Sequence, residues 1–191
     1  MGGFTVEVKG EQISVGKMVF HFMATSTSGT GSTGVAGTAI TNISLYDANG
    51  AVVAGPADGV TVKNGDGKVT FTDTVTFPIG TAVYQLKGKL STTFVNNNTV
   101  QASTTPSTDW TTVKGLTTGN SITPSSSVVT ANQMTVKSGA LTVSVSTVPI
   151  AQTVIAGAQQ FLFANYIFDA TGSGEDLRLT NAPLAYDFST G

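Results

Sequence analysis

A pattern near the start of the chain, Phe4-Thr5-Val6-Glu7-Val8, returns as Leu141-Thr142-Val143-Ser144-Val145. Further pairs follow in the same order. Val15-Gly16 matches Ala156-Gly157, Phe20-His21-Phe22 matches Phe161-Leu162-Phe163, Thr41-Asn42 matches Thr180-Asn181, and Leu45-Tyr46-Asp47 matches Ala185-Tyr186-Asp187. The offsets cluster near 140 residues, so a unit of about that length is written once in full and its first third again. A frame of this kind constrains the fold more than any single residue, because each copied apolar position asks for the same neighbours.

The copied segments read as strands. Phe4, Val6 and Val8 alternate with Thr5, Glu7 and Lys9, the period-two pattern of a half-buried strand. Met18 to Ala24 is apolar on both faces, as a central strand would be. Asp47-Ala48-Asn49-Gly50 and Asn64-Gly65-Asp66-Gly67 supply hairpin turns. Thr25 to Gly37 is a Ser/Thr/Gly loop, expected to be exposed. Residues 103–127 are rich in Ser, Thr, Pro and Gly, with Trp110 and Leu116 as isolated anchors, and read as a junction between modules. No window offers a capped helical period. The expectation is an all-β chain, an immunoglobulin-like Greek-key β-sandwich, with a first module at 4–118 and a partial second module at 119–191.

Composition narrows the function classes. Only 10% of residues are charged, against about 25% in typical soluble domains, and 32 threonines take up much of the difference. Hydroxyl-rich, charge-poor strands suit an extracellular surface. A net charge of −2 leaves no basic footprint for nucleic acid. With no cysteine, disulfides, thiolate catalysis and Cys-ligated zinc are excluded. No apolar run approaches the roughly 20 residues of a membrane-spanning helix. Met1-Gly2-Gly3 leads straight into a strand pattern, which suggests an internal segment of something longer.

The motif Val15-Gly16…Phe20-His21-Phe22…Ile43-Ser44-Leu45-Tyr46-Asp47-Ala48-Asn49-Gly50, with its echo at 156–187 and the acidic lead-in Glu175-Asp176-Leu177-Arg178-Leu179-Thr180-Asn181, resembles tandem β-sandwich repeats of large prokaryotic cell-surface, S-layer-like and fibre proteins. The resemblance implies a scaffold or adhesive role, with neighbouring copies or adjacent repeats as partners, and brings no catalytic residue with it.

Candidate chemistry is sparse. His21 is the sole histidine, it sits between two phenylalanines, and Leu162 stands at its echo, so neither catalysis nor metal binding is expected of it. Among the oxygen-rich clusters, Asp47/Asn49 and Asp58/Asn64/Asp66 are explained by turns. Asp169, Glu175 and Asp176 are the candidate calcium ligands, since calcium needs several carboxylates on a tight loop. Asp73 shares parity with Val69, Phe71, Val75 and Phe77, which directs a carboxylate toward the core unless a β-bulge at Thr72-Asp73-Thr74 turns it outward. A buried Asp73 would promote an isopeptide crosslink from Lys17, although no asparagine partner stands out. Trp110 is the candidate glycan contact, for a chain that is a carbohydrate-binding or adhesin module of an exported protein.

The expectation is therefore a non-enzymatic structural module of a surface layer, stalk or filament, without a cofactor apart from the candidate calcium site. Its truncated second copy would leave open strand edges, which either pack back on the first module, or are closed by residues 128–191 as a smaller sandwich of their own, or take strands from a neighbouring chain.

Overall fold

A computed structural model of the chain describes residues 2–25, 39–62 and 67–185. The loop beyond Thr25, the Asn64-Gly65-Asp66 turn and the Tyr186-Asp187 end of the echo lie outside the described residues. The chain divides into two compact units, Met1–Val136 and Lys137–Gly191.

The first unit is built from antiparallel strands in two sheets. One has the order β1-β8-β3-β4, from Gly2–Val8, Gly80–Leu90, Ile40–Tyr46 and Val52–Ala57. The other is organised on β2, Ile13–Thr25. Its 13 residues are long enough to take two partners on each side. Residues 18–22 pair with β6 (Gly67–Phe71) and residues 13–15 with β7 (Val75–Phe77). Residues 21–25 pair with β9 (Thr99–Thr104) and residues 13–18 with β10 (Trp110–Gly115). β5 (Val60–Thr61) flanks β6, and β11 (Val129–Thr130) and β12 (Met134–Thr135) flank β9. One helical turn, α1 (Pro106–Asp109), joins β9 to β10.

The inner faces of the two sheets meet in a single apolar core. Phe20, Phe22, Phe71, Phe77, Ile40, Ile43 and Leu86 are all at most 2% exposed. Burying a side chain of this size stabilises the fold by about 1.5–3 kcal/mol. The expected all-β architecture is what the chain adopts.

Two irregularities aim side chains. Across β2, Val15 faces Val75 and Met18 faces Phe71. Gly16 and Lys17 therefore stand opposite three residues, Thr72, Asp73 and Thr74. One extra residue bulges the strand and turns Asp73 to solvent, as the bulge reading anticipates. In β3, Thr41 faces Lys89 while Ser44 faces Lys87, again with one residue too many. Asn42 takes a φ of 50° there, its N–H donating to Asp58 Oδ1 at 2.9 Å. The result is that Ile43, Ser44 and Leu45 are buried in succession.

Residues 103–136 depart from the expected organisation. The segment 103–127 is not a junction. It carries the end of β9, α1 and β10, and β10 lies against the central strand. Residues 119–136, expected to open the second module, fall in the first unit, where β11 and β12 extend the β2 sheet.

The second unit has a single hairpin among its described residues, β13 (Thr142–Val145) with β14 (Tyr166–Asp169). The echo is realised at β13, a strand like β1, and not at 156–163, which forms no strand. Phe20 is 2% exposed at the centre of a sheet, whereas Phe163 is 84% exposed and Phe161 touches it edge to face at 5.1 Å. The physical reason is missing partners. β2 is held by β6 and β9, and among the described residues no strand flanks 156–163.

Candidate functional site

A polar network that joins several elements gathers at the β9–α1–β10 corner. His21 Nε2 on β2 lies 3.1 Å from Asp109 Oδ1. Asp109 Oδ2 accepts the Thr105 N–H at 2.6 Å, which ties off the start of α1. The Thr104 hydroxyl donates to the Val19 carbonyl at 2.8 Å and accepts the Trp110 Nε1–H at 3.1 Å. Sequence reasoning missed this pairing because Asp109 lies 88 residues from His21 in a stretch that reads as linker. The Thr104 proton goes to a main-chain carbonyl and the imidazole Nε2 goes to a carboxylate, so the network does not assemble a hydroxyl–imidazole relay. What it does is fasten the α1 turn to β2.

The residues singled out in the sequence are not brought together. Asp169 Oδ1 accepts from the N–H and the hydroxyl of Thr171, at 2.8 and 2.6 Å, and these bonds hold its carboxyl below the usual range. Glu175 is engaged through its backbone with Ser173. Among the described residues no three acidic or imidazole groups gather as a metal cluster; Asp169 lies in a turn, and Glu175 and Asp176 are exposed. Lys17 and Asp73 are both exposed and form no ion pair; Asp73 Oδ2 instead accepts the Gly55 N–H at 2.9 Å. A crosslink promoted by a buried acid therefore lacks its buried acid.

Trp110, the expected glycan contact, is 9% exposed. Its indole stacks on Phe77 and tilts against Phe4. Tyr84 is likewise buried, and burial followed by the nearby Asp47 charge pushes its phenol pKa up. The Tyr46 ring carries the Lys87 ammonium 4.7 Å from its centroid. No aromatic platform is left open in the first unit by this group of residues.

A different feature of the first unit is open. Among the described residues β1 is an edge strand that pairs only with β8. Beside it runs a groove of about 330 Å³, floored by Phe4, Val6, Val8, Val15 and Trp110 and walled by Ile122. At one end Gly2 lies against Ala131, so closely that a Cβ on Gly2 would stand 2.5 Å from the alanine methyl. Beyond Val8, Glu11 clamps the loop that follows β10. Its Oε2 accepts the N–H groups of Thr117 and Thr118 at 2.7 and 3.0 Å, and its Oε1 accepts the Thr118 hydroxyl at 2.7 Å. Those bonds, the Thr118 hydroxyl first, lower the Glu11 pKa.

The second unit is open throughout. No described residue from Lys137 to Ala185 is buried. Val145, Ile150, Ile155, Phe163 and Leu184 are each more than 60% exposed. Among the described residues no helix is long and apolar enough to cross a membrane. Comparison with protein families, with curated proteins and with solved structures gives no match.

Proposed function

We propose that the chain is a non-enzymatic structural module of an extracellular surface layer, stalk or filament, assembled by packing or strand exchange between β-sandwich modules of the immunoglobulin-like, Greek-key kind. One observation carries this reading. The second unit presents a continuous supply of apolar side chains and buries none of them. A two-stranded hairpin is at best marginal alone in water, and apolar patches on this scale mark contact surfaces. Neighbouring copies or adjacent repeats supply the cover that the chain lacks.

The charge-poor, threonine-rich surface supports an extracellular setting, and the proposal needs neither a cofactor nor a convergent polar site. The carbohydrate-binding alternative draws less support, since Trp110 is 9% exposed and stacks on Phe77. Electron microscopy and sedimentation of the purified chain across a concentration series test the proposal. Ordered sheets or filaments that grow with concentration are expected. A chain that stays monomeric at every concentration overturns it.

A further inference from the structure

The free edge of β1 and the groove beside it form a receptor for a strand, and we infer that its occupant is the β13 segment, Leu141–Val145, of a second copy of this chain. The inference rests on the scaffold reading and names the contact through which it works.

On the receptor side, the main-chain groups on the outer edge of β1 have no partner strand among the described residues. Glu7 and Lys9 pair only with each other there, at 3.0 Å. Phe4, Val6 and Val8 point inward and line a groove of about 330 Å³. That is roughly twice the 150 Å³ cavity that accepts a benzene molecule, so there is room for several aliphatic side chains. A strand added to β1 would extend the four-stranded sheet and fill the groove from one face, the familiar mode of β-strand addition.

On the donor side, β13 pairs with β14 alone among the described residues, and its other edge has no described partner. Leu141, Val143 and Val145 alternate with Thr142 and Ser144 and are 43, 53 and 61% exposed. No charge interrupts the segment. Side chains directly opposite in an antiparallel pair share a face. Setting Val143 against Val6 therefore sends Leu141, Val143 and Val145 into the groove beside Val8, Val6 and Phe4, while Ser144 faces Thr5 in solvent.

The balance of charge favours this direction only slightly. In the antiparallel register Lys137 comes to the end of β1 that carries Glu7, Lys9 and Glu11, a net charge of −1. In the parallel one it is carried to the opposite, Gly2 end, away from both acids.

The contact is heterologous, since the first unit of one copy takes the second unit of another. Such contacts do not close on themselves and propagate into open chains. A single added strand is a weak interface, and growth comes from repetition along the polymer.

The chain has no cysteine, which makes the test direct. A Thr5→Cys chain and a Ser144→Cys chain are mixed under mild oxidation. The mixed disulfide is expected at least tenfold faster than between Ala48→Cys, on the exposed β3–β4 turn, and Ser144→Cys. Val143→Asp in the donor should abolish both the crosslink and concentration-dependent association. The Trp110 fluorescence unfolding midpoint, which reports the first unit, should stay where it is.

Equal rates for the two cysteine pairs overturn the inference. So does a Thr5→Cys/Ser144→Cys double variant that closes only within one chain. If the Val143→Asp chain still forms ordered assemblies, this contact is wrong and the scaffold reading stands. If the unaltered chain never associates, the scaffold reading falls with it.

Discussion

The Trp110 indole lies parallel to the Phe77 ring, with planes 8° apart and centroids separated by 5.6 Å. The two rings come from strands on opposite sides of β2, so the contact ties β10 and β7 across the strand that both of them pair with. Truncating a buried Trp costs about 3–5 kcal/mol. Trp110→Ala should lower stability by that amount in urea unfolding. Trp110→Phe should cost about 1–2 kcal/mol, because the Thr104 hydroxyl loses its indole donor but keeps Val19. Soluble glycans should leave the tryptophan emission unchanged.

Asp109 should matter more than His21. Its carboxylate serves three partners, the His21 imidazole, the Thr105 N–H and, at 3.5 Å, the Thr104 hydroxyl, while the imidazole serves one and is 44% exposed. Asp109→Ala is expected to cost about 1–2 kcal/mol, and His21→Leu less than about 1 kcal/mol. A double-mutant cycle by chemical denaturation measures the pair.

Gly55 is fixed by crowding as well as by backbone angle. Its φ is +93°, and an added Cβ would stand 2.6 Å from the Ile43 carbonyl oxygen. Gly10 has a similar φ, +89°, with nothing within 4 Å. Gly55→Ala should destabilise by about 2–3 kcal/mol. Gly10→Ala should cost only the backbone strain, about 1 kcal/mol. Thermal melts of the two variants separate sterics from conformation.

Glu11 gives an acid-side dependence. Its folded pKa lies below the ordinary value of 4.5, so the folded state binds this proton less tightly than the unfolded one. The stabilisation is complete above pH 4.5 and is lost as pH falls through the lowered value. Glu11→Gln removes the titration. Its melting temperature should lie below that of the parent at neutral pH, and the gap should close in acid.

Much of the first unit is legible in its pattern. The Asn49-Gly50 turn forms as its residues dictate, with Gly50 at a φ of +82° and Asp47 Oδ1 accepting the N–H groups of Asn49 and Ala51. The bulge at Asp73 is legible because a lone carboxylate on an apolar face must either find a partner or turn away. β10 is hidden because Thr111, Thr112 and Lys114 dilute its apolar residues, and Thr112 takes a φ of +57°. Its place beside β2 comes from tertiary pairing that local sequence does not carry.

The echo at Phe161 misleads for the opposite reason. Its composition matches Phe20, but a central strand is made by its neighbours, and here they are absent. Trp110 shows the same limit, since a lone aromatic in a threonine-rich stretch reads equally well as surface and as core.

The unburied second unit has a calorimetric consequence. The heat-capacity change on unfolding follows the apolar surface a fold conceals, about 12–15 cal/mol/K per residue. Unfolding of an isolated chain should therefore raise the heat capacity by roughly 1.6–2.0 kcal/mol/K, the amount due to its first unit of 136 residues alone. Any increment above that would measure surface sheltered by a neighbour, so the thermogram itself counts how much of the chain is finished only in company.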